Sequence, residues 1–302
     1  MRKSRQVRST ARELSIEPGD EAYFSALRKH HALPSHYLYE VVKRIRKDRQ
    51  YHIDRLRDLF DAGYLDRPIA LNPRFAFSDH LCYALGDKVT GNELSRLPGG
   101  GYRHNFGTCI ATANIDIFAA RDGCAYISQE EILKASPNRS ISISTNLSYR
   151  FPEGYTETSN APTIPDNLFG IQYKSGRLNY LLEFDRGTET LRAKHFKTKD
   201  GQEINSVLKK LLAYKQMLIA GDAQKHFGTD QGFKVLFVTT SEERMKTMLE
   251  LAGEIYPNGS HNICFTWVPG FNPYEKTPTL LPHLWNGPWK RAGKEDFYLS
   301  KP

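Results

Sequence analysis

The sequence predicts an α/β (α+β) chain in two parts. Residues 1–96 form a basic, helix-rich unit, and residues 97–302 form a larger α/β domain. Three observations carry this. Positive charge is concentrated at the start: residues 1–57 hold fourteen Lys/Arg against seven Asp/Glu, within a chain of formal charge +8. Apolar residues recur there at helical spacing, and a turn-rich segment follows. Beyond residue 140, strand-like apolar runs alternate with amphipathic stretches, and one run ends in two carboxylates, Glu183 and Asp185.

Composition limits the function classes. A hydrophobic fraction of 39% supports sizeable cores, and 302 residues suggest two domains, or one with an appendage. A pI near 9.2 favours a polyanionic partner. The four cysteines (Cys82, Cys109, Cys124, Cys264) lack Cys-x-x-Cys spacing, so neither a zinc ribbon nor a disulfide framework is indicated. That fits a reducing cytosol, and a cytoplasmic location is expected. No apolar run reaches membrane-span length, and no apolar h-region follows the basic N-terminus. There is no internal repeat.

The first helix is expected over residues 20–31, with Tyr23, Phe24 and Leu27 on one face. Leu33-Pro34-Ser35 breaks it, and Ser35 is a fitting N-cap for a second helix over 37–43 with Leu38, Val41 and Val42 inward. A third helix over about 48–62 places Ile53, Leu56, Leu59 and Phe60 at helical spacing, and Gly63 supplies the C-cap. Tyr64-Leu65 begins an extended segment. Turn signals follow at Pro68, Asn72-Pro73 and Ser78-Asp79, and residues 81–85 read as a returning strand. This is the pattern of a winged helix-turn-helix. Its third helix would read DNA, with Arg49, Gln50, His52, Arg55 and Arg57 on the polar face and Lys43, Arg44, Arg46 and Lys47 just before it. Arg and Gln suit bidentate contacts to base edges, and all of these can reach phosphates. The blander alternatives are a solvated charged turn and a protein-interaction module.

The middle of the chain is less legible. Leu97-Pro98-Gly99-Gly100-Gly101 reads as a hinge, and the domain boundary is placed there. Residues 104–120 read as a helix burying Phe106, Cys109, Ile110, Ala113, Ile117 and Phe118. The single His104 at its start carries no catalytic pattern by itself. Ser128-Gln129-Glu130-Glu131 resembles a capping box. A short strand is expected over 141–144. Runs 168–173 and 180–185 read as a hairpin turning at Ser175-Gly176-Arg177. A helix over 203–219 has the stripe Ile204, Val207, Leu208, Leu211, Leu212 and Met217. A buried strand over 233–240, a helix opened by Ser241, and a last strand over 265–268 complete the domain. The tail, with Pro273, Pro278, Pro282, Trp285, Pro288 and Trp289, is expected to wrap the surface.

In the string Leu181-Leu182-Glu183-Phe184-Asp185-Arg186-Gly187-Thr188, a strand period of two puts Glu183 and Asp185 on one face at the strand end. Pro165-Asp166 enters the neighbouring strand. Converging carboxylates from Asp166, Glu183 and Asp185 suit a hard divalent cation, Mg²⁺ or Mn²⁺, and phosphate chemistry. The alternative is a turn capped by Asp185 with Arg186, and a solvated Glu183. Helix, strands, helix, strand, with an acid at one strand and Glu-x-acid at the next, is the layout of a restriction-endonuclease-like, PD-(D/E)xK-type core.

Pro165-Asp166, Glu183-Phe184-Asp185-Arg186-Gly187-Thr188-Glu189 and Lys210-Leu211-Leu212-Ala213-Tyr214 together resemble the signature of the replication-relaxation family, and of related plasmid mobilisation relaxases of the MobC type. The resemblance spans about residues 20–290. It implies an N-terminal winged helix joined to a PD-(D/E)xK-like domain that nicks and relaxes double-stranded DNA at a plasmid origin or transfer site. Asp166, Glu183, Asp185, Lys210 and Tyr214 are the implied catalytic set. A homodimer, or relaxosome or replication partners, are the protein partners this reading allows. One departure stands out: Asp185 occupies the place where the nuclease motif carries Lys, whose ammonium stabilises charge at phosphorus. Lys210 is the favoured replacement, with Lys209 and Arg186 as competitors. Tyrosine-nucleophile chemistry is disfavoured, because none of the ten His has the His-hydrophobe-His spacing of that metal motif. The competing function is a DNA-binding replication initiator or regulator whose nuclease-like domain does not cleave. A third reading makes the C-terminal domain an oligomerisation or docking module with structural acids.

Overall fold

The computed structural model describes residues 8, 13–68, 81–90, 102–268 and 279–302. These fall into two compact units: residues up to 118 with 279–282, and residues 119–268 with 283–302. The division between these units falls at residue 118. The glycine-rich stretch 97–101 lies outside the described residues, as do the turn signals at 72–73 and 78–79 and the tail prolines 273 and 278.

In the first unit, α1 (Pro18–His30), β1 (Ala32–Pro34), α2 (Ser35–Val42), α3 (Arg49–Asp61), β2 (Leu65–Asp66) and β3 (Cys82–Leu85) follow one another, then a short α4 (Asp87–Thr90) and the long α5 (Tyr102–Arg121). The strands form an antiparallel sheet of order β1-β3-β2. Asp48 caps α3, its Oδ1 accepting from the backbone N–H of Gln50 at 2.7 Å and of Tyr51 at 3.2 Å. Pro34, not Ser35, is the N-cap of α2; Ser35 is the first helical residue, and its N–H donates to the Leu81 carbonyl at 2.9 Å. The core takes Tyr23, Phe24, Leu27, Leu38, Val42, Leu56, Leu59 and Phe60 as expected. Ile53 is a correction: it is 45% exposed, and His52 turns inward beside it.

The cause lies in a buried polar cluster. Asp20, fully buried on α1, is ion-paired with two guanidinium groups. Arg55 donates to it from Nε at 3.1 Å and Nη2 at 2.5 Å, and also reaches the Ser15 carbonyl at 2.6 Å. Arg46 approaches Asp20 Oδ1 at 2.9 Å and Glu17 Oε2 at 2.7 Å. His52 Nε2 donates to the Ser35 carbonyl at 2.9 Å, so its Nδ1 accepts from the Tyr23 hydroxyl at 2.7 Å. Three residues assigned to DNA, Arg46, His52 and Arg55, are therefore internal ties of the helical unit. The two arginines compensate a buried carboxylate whose pKa, despite burial that would raise it, is lowered by Arg55, the Glu17 N–H and Arg46.

The second unit is a mixed α/β body. Its elements are β4 (Ala125–Ile127), α6 (Gln129–Ala135), β5 (Leu147–Arg150), β6 (Thr156–Ser159), β7 (Asn167–Tyr173), β8 (Gly176–Asp185), α7 (Val207–Ala220), α8 (Asp222–Phe227), β9 (Phe233–Thr239), α9 (Glu242–Ile255), β10 (Ile263–Trp267), α10 (His283–Asn286), β11 (Trp289–Arg291) and β12 (Lys294–Phe297). A seven-stranded sheet runs β12-β11-β10-β9-β8-β7-β4. β8, β9 and β10 are parallel neighbours, and the other pairs are antiparallel. Helices α7 and α8 link β8 to β9, and α9 links β9 to β10, as parallel pairing requires. The central strands are buried along nearly their whole length, which is why they read as continuous apolar runs.

Three expectations shift here. Helix α7 begins at Val207 rather than 203, because Ser206 caps it through a bond from the Lys209 N–H at 3.2 Å. Residues 203 and 204 pair back instead, Glu203 bridging Lys197 and the Ile204 N–H donating to the Phe196 carbonyl at 2.7 Å. The expected strand over 141–144 is a single bridge, Ile143 to Thr163. The tail does not simply wrap the surface. Trp285 and Trp289 are fully buried, and β11–β12 extends the sheet beyond β10. The Trp285 indole donates to Asp122 at 2.6 Å and that of Trp289 to the Leu284 carbonyl at 3.2 Å, so each ring is buried with its one donor satisfied. All four cysteines are free. Among the described residues, no helix is long and apolar enough to cross a membrane.

Asp20→Ala leaves two guanidinium groups buried without their shared carboxylate. It is expected to lower stability by about 3–5 kcal/mol in chemical denaturation; a loss under about 1 kcal/mol would show that the cluster does not hold the helices.

Candidate functional site

The site lies where β8 ends. The hairpin register that pairs Asn167 with Leu182 sets Asp166 beside Glu183. Asp166 is fixed in that place from both directions: its N–H donates to the Leu182 carbonyl at 2.9 Å, and its Oδ2 accepts from the Phe184 N–H at 2.7 Å. Glu183 is 2% exposed. Helix α7 presents Lys210 and Tyr214, one turn apart, to its carboxylate. Lys210 Nζ donates to Glu183 Oε2 at 2.8 Å, and the Tyr214 hydroxyl donates to Oε1. Asp166, Glu183 and Lys210 line one cavity of about 300 Å³, together with Thr145, Ile164 and Lys209.

The structure thus brings four of the five sequence-selected residues together: Asp166, Glu183, Lys210 and Tyr214. Asp185, on the same strand face, is engaged elsewhere. Its carboxylate receives Arg244 of α9 in a fork, Nε to Oδ2 at 2.9 Å and Nη2 to Oδ1 at 3.2 Å. It also accepts from the Gly187 N–H at 3.1 Å and the Thr239 hydroxyl at 3.3 Å. Asp185, expected as a third metal ligand, is held in an ion pair with Arg244 and does not line the cavity. Of the competitors to Lys210, Lys209 is tied to Glu203, and Arg186 does not line the cavity.

Two residues outside the selected set belong to the arrangement. Glu189 Oε2 lies 3.0 Å from Lys210 Nζ, and Arg244 Nη2 donates to the Glu189 carbonyl at 2.5 Å. Glu189 was legible as part of the Glu-x-Asp-Arg-Gly-Thr-Glu string. Arg244 gave no local signal, because it reaches the site across 59 residues of chain.

The electrostatics follow from burial. Desolvation, and then the negative charge of Asp166, push the Glu183 carboxyl from 4.5 to about 7, although Lys210 and Tyr214 act against the rise. Burial works against the Lys210 ammonium, but Glu183, Glu189 and Asp166 outweigh it and raise its pKa. Burial and the Glu183 charge raise the Tyr214 phenol well above its ordinary value. The site therefore favours an ammonium on Lys210, a neutral phenol on Tyr214 and a Glu183 carboxyl that holds its proton more readily than an ordinary glutamate. Among the described residues, no group of three or more His, Cys, Asp or Glu side chains is gathered as a metal cage; the pair that shares the cavity is Asp166 and Glu183.

On the helical unit, the exposed residues of the proposed DNA face are Arg44, Lys47, Arg49, Gln50 and Arg57. Lys43 is half-buried and paired with Glu40. Gln50 donates to Asp54 at 3.1 Å, and Arg57 pairs with the same carboxylate at 3.1 Å.

Comparison with protein-family models, with curated proteins and with solved structures finds no match to this chain.

The raised Glu183 carboxyl has a stability consequence of definite sign. The folded protein keeps a proton that the unfolded chain releases, so this group's contribution is intact below about pH 4.5 and is lost as pH rises through about 7. Replacing Glu183 by Gln removes that slope. The Tm of the wild type relative to Glu183→Gln is expected to fall between about pH 5 and about pH 8 in calorimetry, and an unchanged difference would contradict the assignment.

Proposed function

We propose that this chain is a DNA-binding protein that cleaves one strand of a duplex by metal-dependent phosphodiester hydrolysis, with Asp166, Glu183 and Lys210 as its reactive group. The observation that carries the reading is the meeting of these three side chains in one cavity at the end of β8, with the lysine supplied by α7. The order β7, β8, α7, β9, with an acid beside each strand of the hairpin, supports a PD-(D/E)xK-type core whose lysine has moved from strand to helix. The order α1, β1, α2, α3, β2, β3, with the sheet β1-β3-β2, supports a winged helix. The resemblance of residues 183–189 to replication-relaxation proteins suggests a plasmid origin or transfer site in the cytoplasm.

The donor set suits a hard divalent cation. Two adjacent carboxylates, one raised in pKa by burial and then by the charge of the other, form a pocket in which added positive charge is stabilising. Asp166 and Glu183 would hold Mg²⁺ or Mn²⁺, which supplies Lewis-acid polarisation of the phosphate and its attacking water. Lys210 offsets negative charge developing on the phosphate oxygens. Tyr214 orients the Glu183 carboxylate. Water attack at phosphorus forms one P–O bond as the bond to the leaving sugar oxygen breaks; the water gives up a proton to solvent and the sugar oxygen takes one up. On the helical unit, Arg44, Lys47, Arg49 and Arg57 reach phosphates and Gln50 reads a base edge.

A second reading is favoured by a specific observation. Asp185 and Arg244 form an ion pair where the motif carries its lysine, and Lys210 is held by two carboxylates. On that reading the domain is non-cleaving and the protein is a replication initiator or regulator.

Supercoiled plasmid carrying the cognate region separates the two. Nicking is expected with Mg²⁺ or Mn²⁺, abolished by EDTA and reduced at least about 100-fold in Glu183→Ala, a removal of the buried ligand. Tight, salt-sensitive binding without nicking would support the regulator instead. Substituting the exposed Arg49 by Ala is expected to weaken duplex binding about uniformly across sequences and to lower the salt slope by about one. Arg55→Ala is expected to act mainly through stability. Equal affinity losses in folded Arg49→Ala and Arg55→Ala proteins would contradict the assignment of the DNA face.

A further inference from the structure

The nuclease motif's missing strand lysine leaves a question about the residues around Asp185. An aspartate in that position would add a third negative charge beside Asp166 and Glu183. The structure removes that charge from the cavity. Arg244 grips the Asp185 carboxylate with two N–H donors and extends the same Nη2 to the Glu189 carbonyl at 2.5 Å. One guanidinium thus fixes both ends of the turn 185–189. Inside it, the Gly187 N–H folds back on Asp185 at 3.1 Å, with φ of +77° at Gly187, a conformation that a residue with a Cβ rarely adopts. The side chain of Glu189, so placed, meets Lys210 Nζ at 3.0 Å while Glu183 meets it at 2.8 Å.

We propose that Arg244 is a positioning residue of this site: by clamping the 185–189 turn it seats Glu189 against Lys210, so that the ammonium is held between Glu183 and Glu189 and aimed into the cavity. The inference rests on the phosphodiesterase reading for its kinetic consequence only. Arg244 touches neither Glu183 nor Lys210 in any bond described, so its effect passes through Asp185 and the Glu189 backbone. A lysine cannot replace it. A single ammonium lacks the planar fork that meets a carboxylate with two donors and a carbonyl with one.

The test uses the full chain with ¹⁵N-labelled lysine and two measurements. The first is the ammonium ¹H–¹⁵N signal of Lys210, identified by its loss in Lys210→Arg. The second is the kinetics of nicking supercoiled plasmid in Mg²⁺. Arg244→Ala and Arg244→Lys are both expected to shift or broaden the Lys210 signal. Both should lower kcat by about 10- to 100-fold with KM within about threefold, the size of effect that misplacing a charged group produces. Glu189→Gln, which leaves the backbone carbonyl for Arg244, is expected to move the Lys210 signal by itself. Wild-type kcat and an unmoved signal in folded Arg244→Lys would overturn the proposal, as would an unmoved signal in Glu189→Gln. Arg244→Ala may be replaced by these two variants if it does not fold. Should the wild type not nick, the phosphodiesterase reading fails, and the Lys210 signal alone decides the positioning role.

Discussion

Much of the second unit depends on keeping one carboxylate, Glu183, out of water. A buried carboxylate is costly unless donors surround it. The chain meets this with two donors from a single helix face, Lys210 and Tyr214. That sets a strict condition on α7. Its register over β8 must put positions 210 and 214 above 183, and the Ser206 cap, which starts the helix at Val207 rather than at the expected 203, helps to set it. The turn 185–189, the Arg244 fork and the entry of Asp166 into β7 all serve the same point. Each supplies or balances charge around a buried carboxyl whose pKa is raised.

The helical unit solves the same problem with a different outcome. Asp20 is buried on α1 and takes Arg46 and Arg55 as partners. Positive charge that looks available for a polyanion is spent inside the fold, so net charge over residues 1–57 overstates the exposed surface charge. What remains outward, Arg44, Lys47, Arg49, Gln50 and Arg57, clusters around the start and outer face of α3, where three aspartates of the same helix, Asp54, Asp58 and Asp61, temper it.

The sequence carried the architecture further than the contacts. Helices α1, α3 and α9, the β7–β8 hairpin and the four converging residues were legible because each rests on local periodicity, a cap or a short string. Arg46, His52 and Arg55 were misread because a polar face looks alike whether its partner is water, phosphate or a buried Asp20 one helix away. Ile53 and His52 exchanged places for that reason. Asp185 was grouped with Glu183 correctly by strand period, but the cation that takes it from the cavity comes from α9, and no local pattern announces a partner so distant in sequence. The tail tryptophans were read by composition, which does not reveal that β11 would pair with β10.

On the proposed function, Asp166 and Glu183 form a cation-binding pair with Lys210 beside it. Calorimetric titration of the purified full chain with Mn²⁺, in the absence of DNA, addresses it most directly. A saturable site is expected in the wild type, lost in Asp166→Asn with Glu183→Gln and kept in Asp185→Asn. Equal Mn²⁺ binding by wild type and the Asp166, Glu183 double variant, or loss of binding in Asp185→Asn alone with its fold intact, would contradict it.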